Sequence, residues 1–494
     1  NKVIKLVRSH RLFLTLLLVG VFLRTFNVYE WFMYSHDQDL AGWVVRDILE
    51  NRHLRLIGQE TSSKGVFIGS LFYYLQIPFY VVFGMDPAGS VWLPIIISVF
   101  SMWSIYFVFT RVFGKVTAII ATLIYALSYF VVFNDRELVP TQPVMLWTMW
   151  YLYSLWLVFK GKQKAYVLVG LLWGLVWHLS LALAILAPLA LVAQVFSKTK
   201  VNFKYLVFGA VVFVVWLSPF AIFEYRHNFQ QVKAITASFT TNKDHIQGTS
   251  DTRLEKLDRT MQIVNKNVDG LFWNHSFNVP AVYTLYLLVV LFVILAVKKI
   301  IPLPLAVIFT LWMALYIAFF TFNSINISEY YLNGMNIIWI AIFSLFVSQV
   351  FKHRKNLAIV ILLVFVFVNI KSYLQKGPNE SGYLQRKALV DFITQDSKNR
   401  GYQCVAVSYI TSPGNNLGYR MFFYLNKLHV NQPKSGSPVY TIVFPHSMVD
   451  RIDKSFGALG LVLPDYERYS EEQIKVSCSG ENANLTDPMF GFTK

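Results

Sequence analysis

Charge is scarce in this chain. Only 14% of its 494 residues are charged, against 55% hydrophobic. Soluble domains carry about 25% charged residues. That shortage, with long uncharged apolar runs and a mean hydropathy of +0.47, excludes an ordinary soluble protein and indicates a polytopic membrane protein. Acid is the rarer sign, with 27 Asp and Glu against 44 Lys and Arg. A small-residue cleavage site is missing after the first apolar run, so that run reads as a retained span rather than a cleaved signal peptide. An initiator Met is missing too, as expected of a start that has been processed or trimmed. Cysteine is limited to Cys404 and Cys478, both in the C-terminal tail. A disulfide is permitted outside the cytoplasm, and the sequence leaves the pairing open. Aromatics are plentiful (42 Phe, 27 Tyr, 13 Trp), which suits many helix ends lying in interfacial belts.

Acidic residues are absent from one alternating set of loops. These hold Lys2, Lys5, Arg8 and Arg11, then Arg111 and Lys115, then Lys160, Lys162 and Lys164. They continue with Lys198, Lys200 and Lys204, then Lys298 and Lys299, then Lys352, Arg354 and Lys355. The rest of the chain has the remaining 27 basic residues and all 27 acidic ones. The positive-inside rule makes the first set cytoplasmic. The net charge of +17 therefore reports topology, and no basic face remains for nucleic acid.

Eleven spans follow, at about residues 12–28, 91–109, 116–133, 140–159, a hairpin of two within 166–196, 205–223, 281–297, 301–320, 334–351 and 357–370. Basic clusters at both ends of 166–196 force the hairpin, with its apex near His178-Leu179-Ser180. Arg24, near the outer end of the first span, is expected to snorkel or to pair with a loop carboxylate. Residues 29–90 form a first outer loop, with an amphipathic helix over 40–49. Its apolar piece at 66–83 is read as interfacial or re-entrant, because a crossing there would leave Arg111 and Lys115 outside. Residues 224–280 form a second outer loop, where Leu254, Leu257, Met261, Val264, Val268 and Leu271 mark an amphipathic helix lying on the membrane or capping the spans. The N-terminus is thus cytoplasmic and the C-terminus extracytoplasmic. The expected division is a transmembrane catalytic domain over 1–370 and a small soluble α/β domain over 371–494. In the latter, helices are expected at 384–394 and 419–428, and strands at 404–410, 440–444 and 459–463.

Span interiors lack charge, which argues against an ion-coupled transporter, whose ionisable groups usually lie near the midplane. Ionisable groups gather instead in outer turns. They comprise Asp37 and Asp39; Asp135, Arg136 and Glu137; His178; Glu224, Arg226 and His227; and Glu329 beside Tyr330 and Tyr331. This mixture of bases and cations at the interface suits a substrate with a hydrophobic tail and an anionic head, such as a lipid-linked phospho-sugar. Asp37 could take a proton from an acceptor, and Arg136 or Arg226 could balance a departing phosphate. Structural roles compete: Asp37 and Asp39 would suit the start of a helix near Leu40, Arg136 a solvated ion pair, His178 a packed helix end, and Glu329 with Tyr330 an interfacial belt.

The inside N-terminus, single span and Asp-bearing outer loop resemble the GT-C superfamily of membrane glycosyltransferases. The nearest branches are the protein O-mannosyltransferase-like and lipid A aminoarabinose transferase-like families. The resemblance is carried by Asp37-Gln38-Asp39 with Leu56-Ile57-Gly58 through Thr61-Ser62; Leu71-Phe72-Tyr73-Tyr74 with Asp86-Pro87; Asn134-Asp135-Arg136; Trp177-His178; Ser218-Pro219 with Tyr225-Arg226-His227; and Glu329-Tyr330-Tyr331. It implies inverting transfer of a hexosyl or pentosyl group from a polyprenyl-phosphate-linked donor to a glycan, lipid or protein acceptor, with Asp37 as catalytic base. Asp39, Arg136, Glu137, His178, Arg226, His227, Glu329 and Tyr330 are then expected at the donor. Many relatives have Asp-Glu where this chain has Asp37-Gln38. The tail does not resemble the lumenal module of the protein-mannosylating branch. No metal-ligand cluster stands out, so no cofactor is expected, although GT-C branches differ in metal use. The competing classes are a lipid or polysaccharide transporter (a flippase) and a membrane scaffold with an outer binding domain.

Overall fold

The computed structural model describes residues 2–61, 65–240, 252–277, 280–323, 327–412 and 415–486. Ser62, Asn326, part of the second long loop and the last residues of the tail lie outside these segments. The first helix, α1 (Lys2–Thr25), leads through a turn to α2 (His36–Asn51) and a two-stranded hairpin, β1 (Ile57–Glu60) with β2 (Phe67–Gly69). Next come α3 (Leu71–Val82), α4 (Trp92–Val112), α5 (Lys115–Leu127), α6 (Tyr129–Asn134), α7 (Val144–Phe159), α8 (Ala165–Leu179), α9 (Pro188–Val195) and α10 (Phe203–Arg226). After them lie α11 (Gln230–Thr240), α12 (Arg253–Phe272), α13 (Val282–Val297), α14 (Leu303–Phe322), α15 (Asn336–His353) and α16 (Lys355–Leu374).

Among the described residues, five helical segments are long and apolar enough to cross a membrane: Pro87–Val112, α10, α14, Glu329–His353 and α16. Shorter apolar helices pack among them. The apolar piece after the hairpin becomes α3, whose 12 residues rise about 18 Å, short of the ~30 Å hydrocarbon thickness. The run at 116–133 is broken at Ser128, whose hydroxyl donates to the Leu271 carbonyl at 2.7 Å and so ties α5 and α6 to the end of α12. Near the apex expected for the hairpin, α8 ends at Leu179 and Ser180 is extended; a 3-10 helix (Leu181–Leu186) and the 8-residue α9 follow. Of the apolar stripe on α12, Val264, Val268 and Leu271 are buried while Leu254 is exposed. Burial on that helix is thus concentrated toward its C-terminal half.

The tail contains α17 (Tyr383–Asn399), β3 (Val405–Thr411), α18 (Arg420–Leu425), β4 (Val430–Asn431), β5 (Val439–Phe444), β6 (Lys454–Phe456), β7 (Leu459–Val462) and α19 (Glu471–Ser477). Its sheet runs β4-β3-β5-β7-β6, parallel across the first three strands and antiparallel beyond. The three expected strands form within a residue or two of their anticipated bounds. Cys404 and Cys478 are joined, holding the start of β3 to the end of α19.

The helix expected over 40–49 begins four residues earlier, at His36. Gln38 explains the difference. Its Oε1 accepts from both the amide and the hydroxyl of Ser35 at 3.0 Å, closing a capping box. Asp37 therefore lies inside the first helical turn, where the helix dipole favours an anion.

One apolar core joins the loop after α1 to the tail. Phe32, Tyr34, Val44 and Ile48 pack in the same cluster as Leu389, Ile393, Phe422 and Tyr440. The loop before α18 approaches the start of α2 so closely that a side-chain carbon at Gly418 would lie 3.0 Å from the Ser35 carbonyl carbon. With φ of +96° as well, that position needs glycine.

Candidate active site

The first turn of α2 faces the segment between α6 and α7, and four consecutive residues of that segment behave differently. Asp135 forms a buried ion pair with Arg24 at 2.7 Å and also accepts from the Tyr125 hydroxyl at 2.9 Å. Arg136 donates to the carbonyls of Leu23 (3.4 Å) and Phe26 (3.0 Å), and its guanidinium lies 4.6 Å from the Trp31 ring centre. The Leu138 carbonyl accepts from Gln38 Nε2 at 3.1 Å, which docks the segment against α2. Glu137 stands between these anchors, half-buried. Among the described residues its carboxylate has no hydrogen-bond partner, and burial pushes its pKa up to about 6. Nearby, Gln142 donates to the Pro94 carbonyl at 3.5 Å, while its Oε1 and Trp92 Nε1 are buried with no hydrogen-bond partner among the described residues.

Asp37 is exposed. Its carboxylate, too, makes no hydrogen bond among the described residues. The buried hydroxyl of Tyr73 on α3 lies within its electrostatic reach and that of Arg55. Burial raises that hydroxyl, Arg55 lowers it and Asp37 raises it further. Arg55 bridges to Asp47 at 2.7 Å. In the sequence Tyr73 stands out only as part of the Leu71-Phe72-Tyr73-Tyr74 stretch, with no role at this site, and Arg55 does not stand out at all. Tyr73 sits in an apolar helix and looks like core, and Arg55 lies in a plain loop.

Asp39 has a different occupation. It is 5% exposed. Its oxygens accept from the Tyr34 hydroxyl (2.6 Å), the Arg420 amide (3.1 Å) and the Met421 amide (3.0 Å). The carboxylate thus closes the start of α18, 381 residues further along the chain. Burial pushes its carboxyl above the usual range, against the lowering pull of those three donors. An Asp39→Ala chain should lose about 3 kcal/mol of stability, because charge-assisted bonds vanish and buried donors are orphaned. It should also be cut faster by protease in the linker at 376–382. Unchanged melting and cleavage would refute the clasp.

The other expected residues are dispersed. His178 is buried; its Nε2 lies 3.0 Å from the Trp216 carbonyl, and Nδ1 has no partner among the described residues. It packs against Trp216, Phe220 and Gly69, joining α8, α10 and β2. Arg226 is exposed at the end of α10. His227 stacks on Phe223 with ring centres 4.1 Å apart, and its Nδ1 lies 2.8 Å from the Phe223 carbonyl. Glu224 accepts from the amides of Gln231 and Val232, both at 3.2 Å, at the start of α11. Glu329 pairs with Lys266 of α12 at 2.5 Å, and Tyr330 packs on Tyr331. Among the described residues, no three His, Cys, Asp or Glu side chains are grouped to hold a metal ion.

A bundle of apolar helices, an acidic helix start after the first of them and an α/β tail docked onto that start are features in which the chain resembles the GT-C superfamily. Residues 70–223 match the sequence profile of the dolichyl-phosphate-mannose-protein mannosyltransferase family. No curated protein sequence matches the chain significantly. Among solved structures, ArnT from Cupriavidus metallidurans in the apo state is similar, with TM-score 0.59, 9% identity, and 94% of this chain and 99% of that one covered. ArnT bound to undecaprenyl phosphate gives TM-score 0.58 at 10% identity over the same shares of the chains. The Archaeoglobus fulgidus oligosaccharyltransferase tethered with an acceptor peptide gives TM-score 0.52 at 14% identity, with 88% of this chain and 65% of that one covered. At these identities the structural likeness is one of fold. It agrees with the GT-C resemblance in the sequence and with residence in a membrane.

Proposed function

We propose that this protein is an inverting glycosyltransferase that moves a sugar from a polyprenyl-phosphate carrier to an acceptor hydroxyl on the outer face of the membrane. The observation that carries this reading is the pair of carboxylates, Asp37 and Glu137, that make no hydrogen bond among the described residues, on two segments held together by the bond from Gln38 to the Leu138 carbonyl. The profile match at residues 70–223 supports it. So does a fold shared with ArnT, one structure of which is bound to undecaprenyl phosphate.

In the proposed step the acceptor O–H gives its proton to Asp37 as its oxygen attacks the anomeric carbon. The bond from that carbon to the phosphate oxygen breaks with inversion, and the polyprenyl phosphate leaves with the electron pair. Arg226, exposed at the end of α10, balances the phosphate charge. Glu137 holds a hydroxyl of the donor sugar. Arg136 and Asp39 support the site through their bonds to α1 and α18. Residues 1–370, with eleven spans and a cytoplasmic N-terminus, form the membrane part; residues 371–494 form an extracytoplasmic domain. The direct test is transfer of radiolabelled sugar from a lipid-linked donor by the purified chain and by Asp37→Asn. Equal rates would sink the assignment of the base.

Glu137 adds a pH signature. Its folded pKa lies above the ordinary carboxylate value, so its contribution to stability is present below pH about 4.5 and is lost as pH rises through about 6. Glu137→Gln should therefore melt higher than the parent chain at pH 7.5, with the gap closing at pH 4.5. A gap independent of pH would show that Glu137 is not a buried, unpaired acid.

A further inference from the structure

A groove that the transfer step does not use lies near the start of α1, at the other end of that helix from Asp37. There α1 packs against α4. Gly20 lets the two helices touch, since a side-chain carbon at that position would run into Met102. Nearer the start of α1 the rings of Phe13 and Tyr106 stack between the helices, 4.3 Å centre to centre. Rings need more room than a glycine, and beside them a groove of about 470 Å³ opens between α1 and α4.

The groove passes from apolar to polar along its length. One wall belongs to a strip of stacked rings on α4, Phe100 on Trp103 at 5.3 Å and Trp103 on Phe107 at 5.2 Å. Trp103 is 40% exposed, so the strip looks out of the bundle. Leu14 of α1 completes this part of the lining. Toward the end of α4 the chemistry changes. Thr110 and Arg111 lie there with His10 of α1, whose Nδ1 is 2.9 Å from the Tyr106 hydroxyl. From Trp103 to Arg111 the helix rises about 12 Å.

Arg111 is exposed. Its guanidinium lies 5.1 Å from the Phe107 ring centre, and no hydrogen bond or ion pair of it occurs among the described residues. α1 and α4 contain no Asp or Glu, nor do α5 and α7, which pack on α4. At this end the same helices and their flanks carry Arg11, Arg111, Lys115 and Lys160. An uncompensated cation beside an outward-facing apolar strip attracts an anion that has a hydrocarbon tail. A soluble anion would leave the rings unused, and a neutral lipid would leave Arg111 unanswered.

We propose that this groove binds one anionic glycerophospholipid, with its phosphate and headgroup at Arg111 and His10 and an acyl chain along Phe107, Trp103 and Phe100. In the topology proposed above, that lipid belongs to the cytoplasmic leaflet. The binding itself depends neither on that topology nor on the glycosyltransferase reading.

The test uses the full chain, purified in detergent and stripped of native lipid. Dioleoyl phosphatidylglycerol, dioleoyl phosphatidylcholine or undecaprenyl phosphate is added back, and native mass spectrometry reads bound lipid and affinity. Phosphatidylglycerol should bind about fivefold or more tightly than phosphatidylcholine, and Arg111→Gln should weaken it about fivefold, the share of one basic residue at an anionic headgroup. Lys298→Gln, in another basic turn, should leave its affinity unchanged. Leu14→Trp, which puts a ring into the groove, should weaken both phospholipids. Arg111 is exposed, so Arg111→Gln should melt with the parent chain, and it decides the matter if Leu14→Trp does not fold. Three results would overturn the proposal. They are equal affinities for the two phospholipids, a loss in Lys298→Gln as large as in Arg111→Gln, and an Arg111→Gln loss confined to undecaprenyl phosphate, which would make the groove a carrier-lipid site.

Discussion

Asp37→Asn is expected to slow sugar transfer by about 10²–10⁴-fold, the range that a positioned general base supplies. The substitution keeps size and shape and removes only the proton acceptor. Its structural cost should be small, because the Asp37 carboxylate is exposed and makes no hydrogen bond among the described residues. What is lost on the folding side is a favourable charge in the first turn of α2, worth about 0.3–1 kcal/mol. The neighbouring carboxylate provides the contrast. Asp39→Asn should act on stability first, since Asp39 holds Tyr34 and the start of α18. A kcat loss in Asp37→Asn with unchanged melting, beside a melting loss in Asp39→Asn, would separate the two roles. Transfer by Asp37→Asn within threefold of the parent chain would remove Asp37 from the chemistry.

The second large effect concerns stability. Arg24→Met should cost about 3–5 kcal/mol, because it strands the buried Asp135 carboxylate without its cation. Arg24 is wholly buried. Besides the ion pair, it donates to the carbonyls of Gly20, Ala126 and Tyr125, each at 3.1 Å. It thus welds the end of α1 to α5 and to the segment that carries Glu137. The double variant Arg24→Met with Asp135→Leu should recover most of the loss, since a matched apolar pair no longer buries a charge. Urea or thermal unfolding in detergent reads both. A single variant within 1 kcal/mol of the parent chain would mean that water or lipid headgroups reach the pair.

Some of this was legible from residues alone. Arg24 was expected to snorkel or to take a loop carboxylate, and it takes Asp135 at 2.7 Å. The strands of the tail were legible because short β-branched and aromatic runs have few other uses. The start of α2 was misplaced by four residues, because Gln38 was read as a departure from an acidic pair and not as the third residue of a capping box. The residues flanking Glu137 looked alike in sequence. Only their contacts separate Asp135 and Arg136, which are spent on α1, from Glu137, which is not.

The sequence by itself determined that this chain belongs in a membrane, which apolar runs become helices, and that its ionisable groups collect between them. These are consequences of local composition and periodicity, which act over a turn or two of chain. Tertiary structure decided the rest. It took Asp39 out of the candidate site by closing α18 upon it, packed the first long loop and the tail into one core, and left Asp37 and Glu137 without hydrogen-bond partners among the described residues, on adjoining segments. Such outcomes depend on which distant surface arrives at a residue, and no pattern within its own segment records that.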